Sequence, residues 1–383
     1  MAGDVGLANH DPALGSFTHL DAAGGLPPTG SGPLDGMLVA VKDLIDVGGW
    51  PTTNGASTDP TEPAARDAAV VAWLRQRGGR VIGKTALNEY AYGVTGYNPH
   101  RGWILNPRDR IRTASGSSSG SAAAVAARVA HIGVGTDTSG SVRLPAACCG
   151  VYGFKAAHGA YPMDGVTPLA PSLDSLGFLT ADLPILAAIL GMDLPLARGS
   201  SPIPSDQSGI HPGFRDEFHF DHSVLRNVRV GRLGVDLEVP PLPSEHWTIF
   251  RAEAWDVHGE RFTQDPDHYG RDVQRNLRLP FGDVDRARDA MAAWRAAYEE
   301  AAQGFDVLAG PVLDGAAPAV EAVRRDYDQG TGWVRARMLR HTPPANALGW
   351  PALSCPTSTG NVQLTGRPGD EAALLAAAAA LLP

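Results

Sequence analysis

The sequence predicts an α/β fold, one domain spanning residues 1–383 whose strands are buried on both faces. Three observations point there. Met37–Val41 (MLVAV) is a short unbroken apolar run, the pattern of a strand without a solvent face. Asp67–Arg77 (DAAVVAWLRQR) carries helical apolar spacing and stops at Gly78-Gly79, which suits a helix end. Val81-Ile82-Gly83 then reads as a second short strand, and the order strand–helix–strand is characteristic of α/β proteins.

The other elements follow along the chain. Residues 1–35 are rich in Gly, Pro and Asp without periodicity and read as an irregular surface arm. From Thr113 to Gly177 small residues dominate, with a helix expected over Ala122–Ala130 and a strand over His131–Gly135. Residues 183–245 are Pro-rich and irregular, with one strand expected at Val228–Leu233. Residues 246–302 read as helical, since Trp247, Phe250, Trp255, Met291, Trp294 and Tyr298 recur at intervals that build an apolar face. Asp306–Ala309, 352–356 and 362–365 read as strands and 370–382 as a closing helix. There is no internal repeat and no flexible interdomain linker. The region 183–335 is therefore expected to be an inserted subregion of the same domain.

Composition narrows the class. The apolar fraction is 43% and the charged fraction 19%, enough for a large core and too little charge for a disordered chain. The net charge is −9, which argues against nucleic acid as a partner, because phosphate binding wants a basic surface. The start MAGDVGLANHDP lacks the basic and apolar regions of a secretory signal, and the run Ala372–Leu382 is too short to span a bilayer. Neither export nor a membrane is expected. The three cysteines, Cys148, Cys149 and Cys355, make neither a CxxC nor an even count, so a cytoplasmic, reducing setting is expected. There are 45 glycines and 31 prolines, against roughly 27 and 19 at average usage.

Four of those glycines sit in two Ser/Gly clusters. Ser115-Gly116-Ser117-Ser118-Ser119-Gly120-Ser121 runs into an Ala-rich helix, and Gly135-Thr136-Asp137-Thr138-Ser139-Gly140-Ser141-Val142-Arg143 follows an apolar strand. Small residues before a helix let backbone N–H groups face an anion, whether a bound phosphate or an oxyanion formed during reaction. No Lys follows Gly120 or Gly140, so neither cluster is a phosphate-binding P-loop. Gly133-Val134-Gly135 supplies only the first part of a dinucleotide fingerprint. No motif places any of the 12 histidines as a partner for serine. Lys42 closes the run Met37–Val41. A lysine at a strand end is ordinarily a solvated cation, but one buried among apolar neighbours loses hydration, becomes neutral and can act as a base.

Longer motifs then resemble the amidase signature family of serine hydrolases. They run in order from Gly36 to Asp182: GMLVAVKDLIDVGGWPTTNGA, GKTALNEYAYG, NP-x-x-G-x-x-x-NP at Asn98–Pro107, SGSSSGSAAAVAA, GTDTSGSVRLPAACCGVYGFK and SLDSLG, with a weaker tail from Asn346. The resemblance implies a large mixed sheet covered by helices on both faces. It implies a triad in which Ser141 matches the nucleophile, Ser117 the bridging serine that follows a cis peptide bond, and Lys42 the base. By the same resemblance the N–H groups of Thr138, Ser139, Gly140 and Ser141 surround the oxyanion. Ser118, Asp137 and Arg143 match supporting positions, Ala91, Tyr92 and Gly93 line the acyl pocket, Asp174 lies near the site, and Cys149 is packing.

The family implies an acyl-enzyme, no metal or cofactor, a small-molecule amide substrate and commonly a homodimer. The segments Asn98–Pro107, Thr113–Ser121 and His158-Gly159-Ala160 look closest to indole-3-acetamide and biuret-pathway hydrolases, and residues 183–335 would set substrate choice. Acyl transfer through the same intermediate, a catalytically dead scaffold and an amidotransferase subunit are the alternative readings. Three departures stand out. Only about 35 residues precede the Lys42 strand, Ser139 replaces a usual Gly, and the turn at 358–363 is shortened, which is expected to trim a hairpin at the sheet edge.

Overall fold

A computed structural model of the chain describes residues 4–56, 62–193, 220–221, 225, 228–357 and 360–381. Its strands are β1 (Phe17–Leu20), β2 (Leu38–Lys42), β3 (Arg80–Thr85), β4 (Tyr97–Asn98), β5 (Gly102–Trp103), β6 (Leu105–Asn106), β7 (Asp109–Thr113), β8 (Ile132–Asp137), β9 (Tyr152–Lys155), β10 (Ser175–Thr180), β11 (Val230–Arg232), β12 (Val307–Pro311), β13 (Ala352–Thr357) and β14 (Gly360–Gly366). Ten of them form one sheet in the order β1-β3-β2-β8-β10-β9-β13-β14-β12-β11, while β4-β5 and β6-β7 make two small ribbons. The sheet is mixed: β3, β2 and β8 run parallel, β8 through β12 alternate, and β11 is parallel to β12.

The helices are α1 (Ala69–Gln76), α2 (Ser119–Ala126), α3 (Arg143–Cys149), α4 (Leu183–Leu190), α5 (Glu245–Gln264), α6 (Arg271–Leu277), α7 (Val284–Ala301), α8 (Val320–Gln329), α9 (Trp333–Met338), α10 (Pro343–Ala347) and α11 (Glu371–Ala380). They cover both faces of the sheet. Successive strand residues point to opposite faces, and on β10 Phe178 joins one apolar cluster while Leu179 joins another. Leu74 of α1, Leu186 of α4 and Leu374 of α11 pack on the Phe178 side. Ala122 of α2 and Ala146 of α3 pack on the Leu179 side. Strands covered on both faces need no polar alternation, which is why β2, β8 and β10 read as near-continuous small or apolar runs.

Strand direction assembles the site. β2 and β8 are parallel neighbours, with Val41 opposite Val134, so their last residues, Lys42 and Asp137, end at the same edge. β10 runs antiparallel to β8 with Ser175 opposite Asp137, which brings Asp174 to that edge as well.

Several expectations shift. The arm at 1–35 contributes β1, an antiparallel edge strand against β3. The helix expected over Ala122–Ala130 is α2, which starts at Ser119 and stops at Ala126. The hairpin at the shortened turn is not at the sheet edge: β12 and β11 lie beyond β14. Ser358-Thr359 of that turn, and much of the Pro-rich stretch within 183–245, lie outside the described residues.

Candidate active site

Lys42 is fully buried at the end of β2. Its Nζ lies 2.7 Å from Ser117 Oγ and 2.9 Å from Thr136 Oγ1, with Thr136 O at 3.4 Å. Among the described residues no carboxylate bonds to it. Burial pushes its pKa down to about 7, against the opposing fields of Asp137 and Asp174. Hydroxyl partners suit both protonation states, since each can accept from an ammonium or donate to an amine lone pair.

Ser117 follows a cis peptide bond from Gly116. Gly116 is packed against Asn88, whose Oδ1 would stand 2.0 Å from a Cβ there. Asn88 in turn donates from Nδ2 to Tyr97 O (2.9 Å), and its Oδ1 accepts from Gly96 N–H (3.2 Å). Ser118 Oγ donates to Thr136 O (3.2 Å), and its N–H donates to Ser141 O (3.0 Å), joining the two Ser/Gly loops. Among the described residues no hydrogen bond links the hydroxyls of Ser117 and Ser141 themselves. Such contacts often tighten only when substrate binds.

The loop 138–142 hangs between β8 and α3 on ionic supports. Arg143 has no solvent exposure and clamps Asp137 through Nε to Oδ2 (3.0 Å) and Nη2 to Oδ1 (2.8 Å). Its remaining N–H groups donate to Thr342 O (2.8 Å), Gln363 Oε1 (2.5 Å) and Asn346 Oδ1 (2.6 Å). Asn346 Nδ2 returns to Asp137 O (2.9 Å) and Oδ1 (3.0 Å). Burial pushes the Asp137 carboxyl up, but Arg143, with Lys155 and Asn346 behind it, overrides this and holds it well below the ordinary carboxylate range. Thr342 Oγ1 donates to Ser139 O (2.5 Å).

One expected oxyanion donor is already committed. Of the four N–H groups expected around an oxyanion, that of Gly140 already donates to Asp137 Oδ1 (2.7 Å). The N–H groups of Thr138, Ser139 and Ser141 have no partner among the described residues. Gly140 adopts φ +130°, and a Cβ there would meet Thr342 Oγ1 at 2.2 Å, so only glycine fits. Ser139 Oγ is buried without a partner among the described residues, at the position where a glycine was expected. Asp174 accepts from Thr138 Oγ1 (2.6 Å), Leu169 N–H (2.8 Å) and Ala170 N–H (3.1 Å), and burial raises its carboxyl to about 6.

Tyr90 and Ala91 take left-handed backbone conformations (φ +50° and +57°) ahead of Tyr92 and Gly93. Tyr92 lines a cavity of about 270 Å³ with residues of α5, α6 and α9. Gly93 packs against Asn88 instead. Sequence reasoning gave no site role to Thr136, Thr342, Asn346 or Gln363. Thr136 stands inside a quoted motif and was within reach, whereas the other three are remote single residues.

Comparison with known proteins identifies the family and the fold. The Amidase family matches residues 18–233. A 1-carboxybiuret hydrolase subunit of Pseudomonas sp. (strain ADP) is 31% identical over 90% of this chain and 83% of its own length. Amidase 1 of Oryza sativa subsp. japonica is 40% identical, but over 44% of this chain and only 40% of the plant protein's length. A solved amidase structure superposes with a TM-score of 0.74 at 25% identity, covering 96% of this chain and 92% of that one. The buried lysine, the serine loops and the mixed sheet thus define an amidase-type α/β protein. The chain belongs to the amidase signature family.

Proposed function

We propose that the chain hydrolyses small-molecule amides, with Ser141 as nucleophile, Ser117 as proton relay and Lys42 as base. The observation that carries this is the Lys42–Ser117 contact at 2.7 Å, made by a buried lysine held near neutrality. In this reading the Ser141 proton moves through Ser117 to Lys42 as Ser141 Oγ bonds to the amide carbon. The carbonyl oxygen becomes an oxyanion facing the N–H groups of Thr138, Ser139 and Ser141. Its collapse breaks the C–N bond, and the amine leaves with the proton returned through Ser117. Water then attacks the acyl-serine, gives a proton to the same relay, and releases the acid and Ser141.

The three cysteines are free, which accords with a cytoplasmic setting, and no described helix is long and apolar enough to cross a membrane. The relative named for a biuret-type substrate favours small amides over peptides. We assign substrate choice to the subregion 183–335, which includes α5 and α6 beside Tyr92.

The test is ammonia release from a panel of primary amides by the native chain, Ser141→Ala and Lys42→Ala, with fluorophosphonate labelling read by peptide mapping. Turnover is expected to fall about 10⁴-fold or more in Ser141→Ala, with the label on Ser141. Retained turnover, or a label elsewhere, overturns the assignment.

A further inference from the structure

The cavity beside Tyr92 is not explained by the triad. Its walls are aromatic: Tyr92 and Phe250 have ring centres 5.5 Å apart, and Phe250 and Trp247 5.6 Å. Two arginines, Arg251 and Arg335, also line it. The Arg335 guanidinium lies over the Trp247 ring at 5.6 Å and, among the described residues, has no hydrogen-bond or ion-pair partner. Arg251 donates one N–H to Pro280 O (3.1 Å) and likewise has no carboxylate partner among them. The acidic group whose field reaches Arg335 is Asp272, which is paired with Arg275 at 2.9 Å. Among the described residues, a chain of net charge −9 thus sets two guanidinium groups without carboxylate partners at one small aromatic recess.

Two lining residues lie close along the chain to residues that support the reacting loops. Tyr92 is four residues from Asn88, the side chain packed on Gly116 before Ser117. Leu339, another lining residue, is three residues from Thr342, which bonds Ser139 O and closes on Gly140. Leu339 also shares an apolar cluster with Leu144, the side chain beneath Gly140.

We propose that this recess binds a carboxylate of the substrate, so that the preferred amide is a flat molecule with an anionic group remote from the scissile bond. The proposal rests on the amidase reading above and names the substrate class of that site. A guanidinium presents paired N–H donors that match a carboxylate, and an aromatic floor suits a planar body. A charge-assisted pair in a half-buried recess is worth enough to separate an acid from its neutral ester.

The experiment measures binding by calorimetry of benzoate, phenylacetate and cinnamate, each beside its methyl ester, to the full chain at low ionic strength. The acids are expected to bind about tenfold or more tightly than the esters. Arg335→Met is expected to bring the ratio to about one with the ester affinities unchanged, and Arg335→Lys to keep part of it, both at native melting temperature. Equal binding of acid and ester, no binding of any acid, or a ratio that survives Arg335→Met overturns the proposal. Binding needs no turnover, so this result stands apart from the Ser141 test. A labelled Ser141 with no acid preference removes the carboxylate recess alone.

Discussion

The two sides of the Ser141 loop are built on opposite principles. On one side Lys42 meets the hydroxyls of Ser117 and Thr136, groups that both donate and accept. On the other, Asp137 and Arg143 are locked by fixed donors and acceptors from Thr342, Asn346 and Gln363. The first side can exchange a proton without losing a partner. The second cannot change charge without orphaning a buried ion. The site thus couples a titrating half to a rigid half, and the loop between them inherits its shape from the rigid one.

The sharpest way to break that contrast is to remove the charge from the rigid side. Asp137→Asn keeps the side-chain shape but leaves the Arg143 guanidinium buried among neutral partners. Breaking a buried pair in this way costs about 3–5 kcal/mol. Urea unfolding should show that loss, with activity falling at the same time because Gly140, Val142 and Arg143 all donate backbone N–H groups to this carboxylate. A loss below about 1 kcal/mol, the range of exposed ion pairs, would mean the clamp is not the support described.

The junction is the next target. At Gly140 the positive φ and the Thr342 side chain both exclude a Cβ. Gly140→Ala is expected to cost about 1–3 kcal/mol and to lower kcat/KM about 10²-fold or more through displaced N–H donors. Pairing it with Thr342→Ala, which removes Oγ1 from the path of the new Cβ, should recover part of the stability but not the φ strain. Wild-type stability and activity in the single variant would show that the loop is not held by this contact.

The two sides also differ in how far sequence foretold them. Lys42, Ser117 and Ser141, with Asp137 and Arg143, stand in dense local motifs, because close backbone approach permits only small residues there. Thr342, Asn346 and Gln363 complete the clamp from about 200 residues away; Asn346 opens the weaker tail and Gln363 closes the shortened turn, but neither segment marks a partner for Arg143. The same holds for the recess. Trp247 and Phe250 follow the helical spacing of a buried face, and a helix face reads alike whether it packs on a core or lines a cavity. β1 escaped for a different reason: Phe17–Leu20 (FTHL) is short and half-buried, with too little alternation to stand out from the arm around it. The resemblance places Gly140 among the oxyanion donors together with Thr138, Ser139 and Ser141. Only the position of Asp137 Oδ1 reveals that its N–H is taken.

The smallest expected effect tests which buried lysine titrates. Lys155 is also fully buried and also pushed down to about 7, first by burial and then by Arg143, but its Nζ donates to the carbonyls of Ala156 and Trp350 (2.9 and 2.7 Å) and, among the described residues, bonds to no hydroxyl. In the proposed relay only a neutral Lys42 accepts the Ser141 proton, so kcat/KM should fall on the acid side of its pKa, about tenfold between roughly pH 8 and pH 6. Asp174 favours the charged form of Lys42, whereas Lys155 responds to Asp137 and Arg143 instead. Asp174→Asn should therefore move the acid limb to lower pH by a fraction of a unit, and Lys155→Met should leave it in place. The opposite pattern would assign the limb to Lys155, and the titrating side would then lie beneath the clamp rather than at the end of β2.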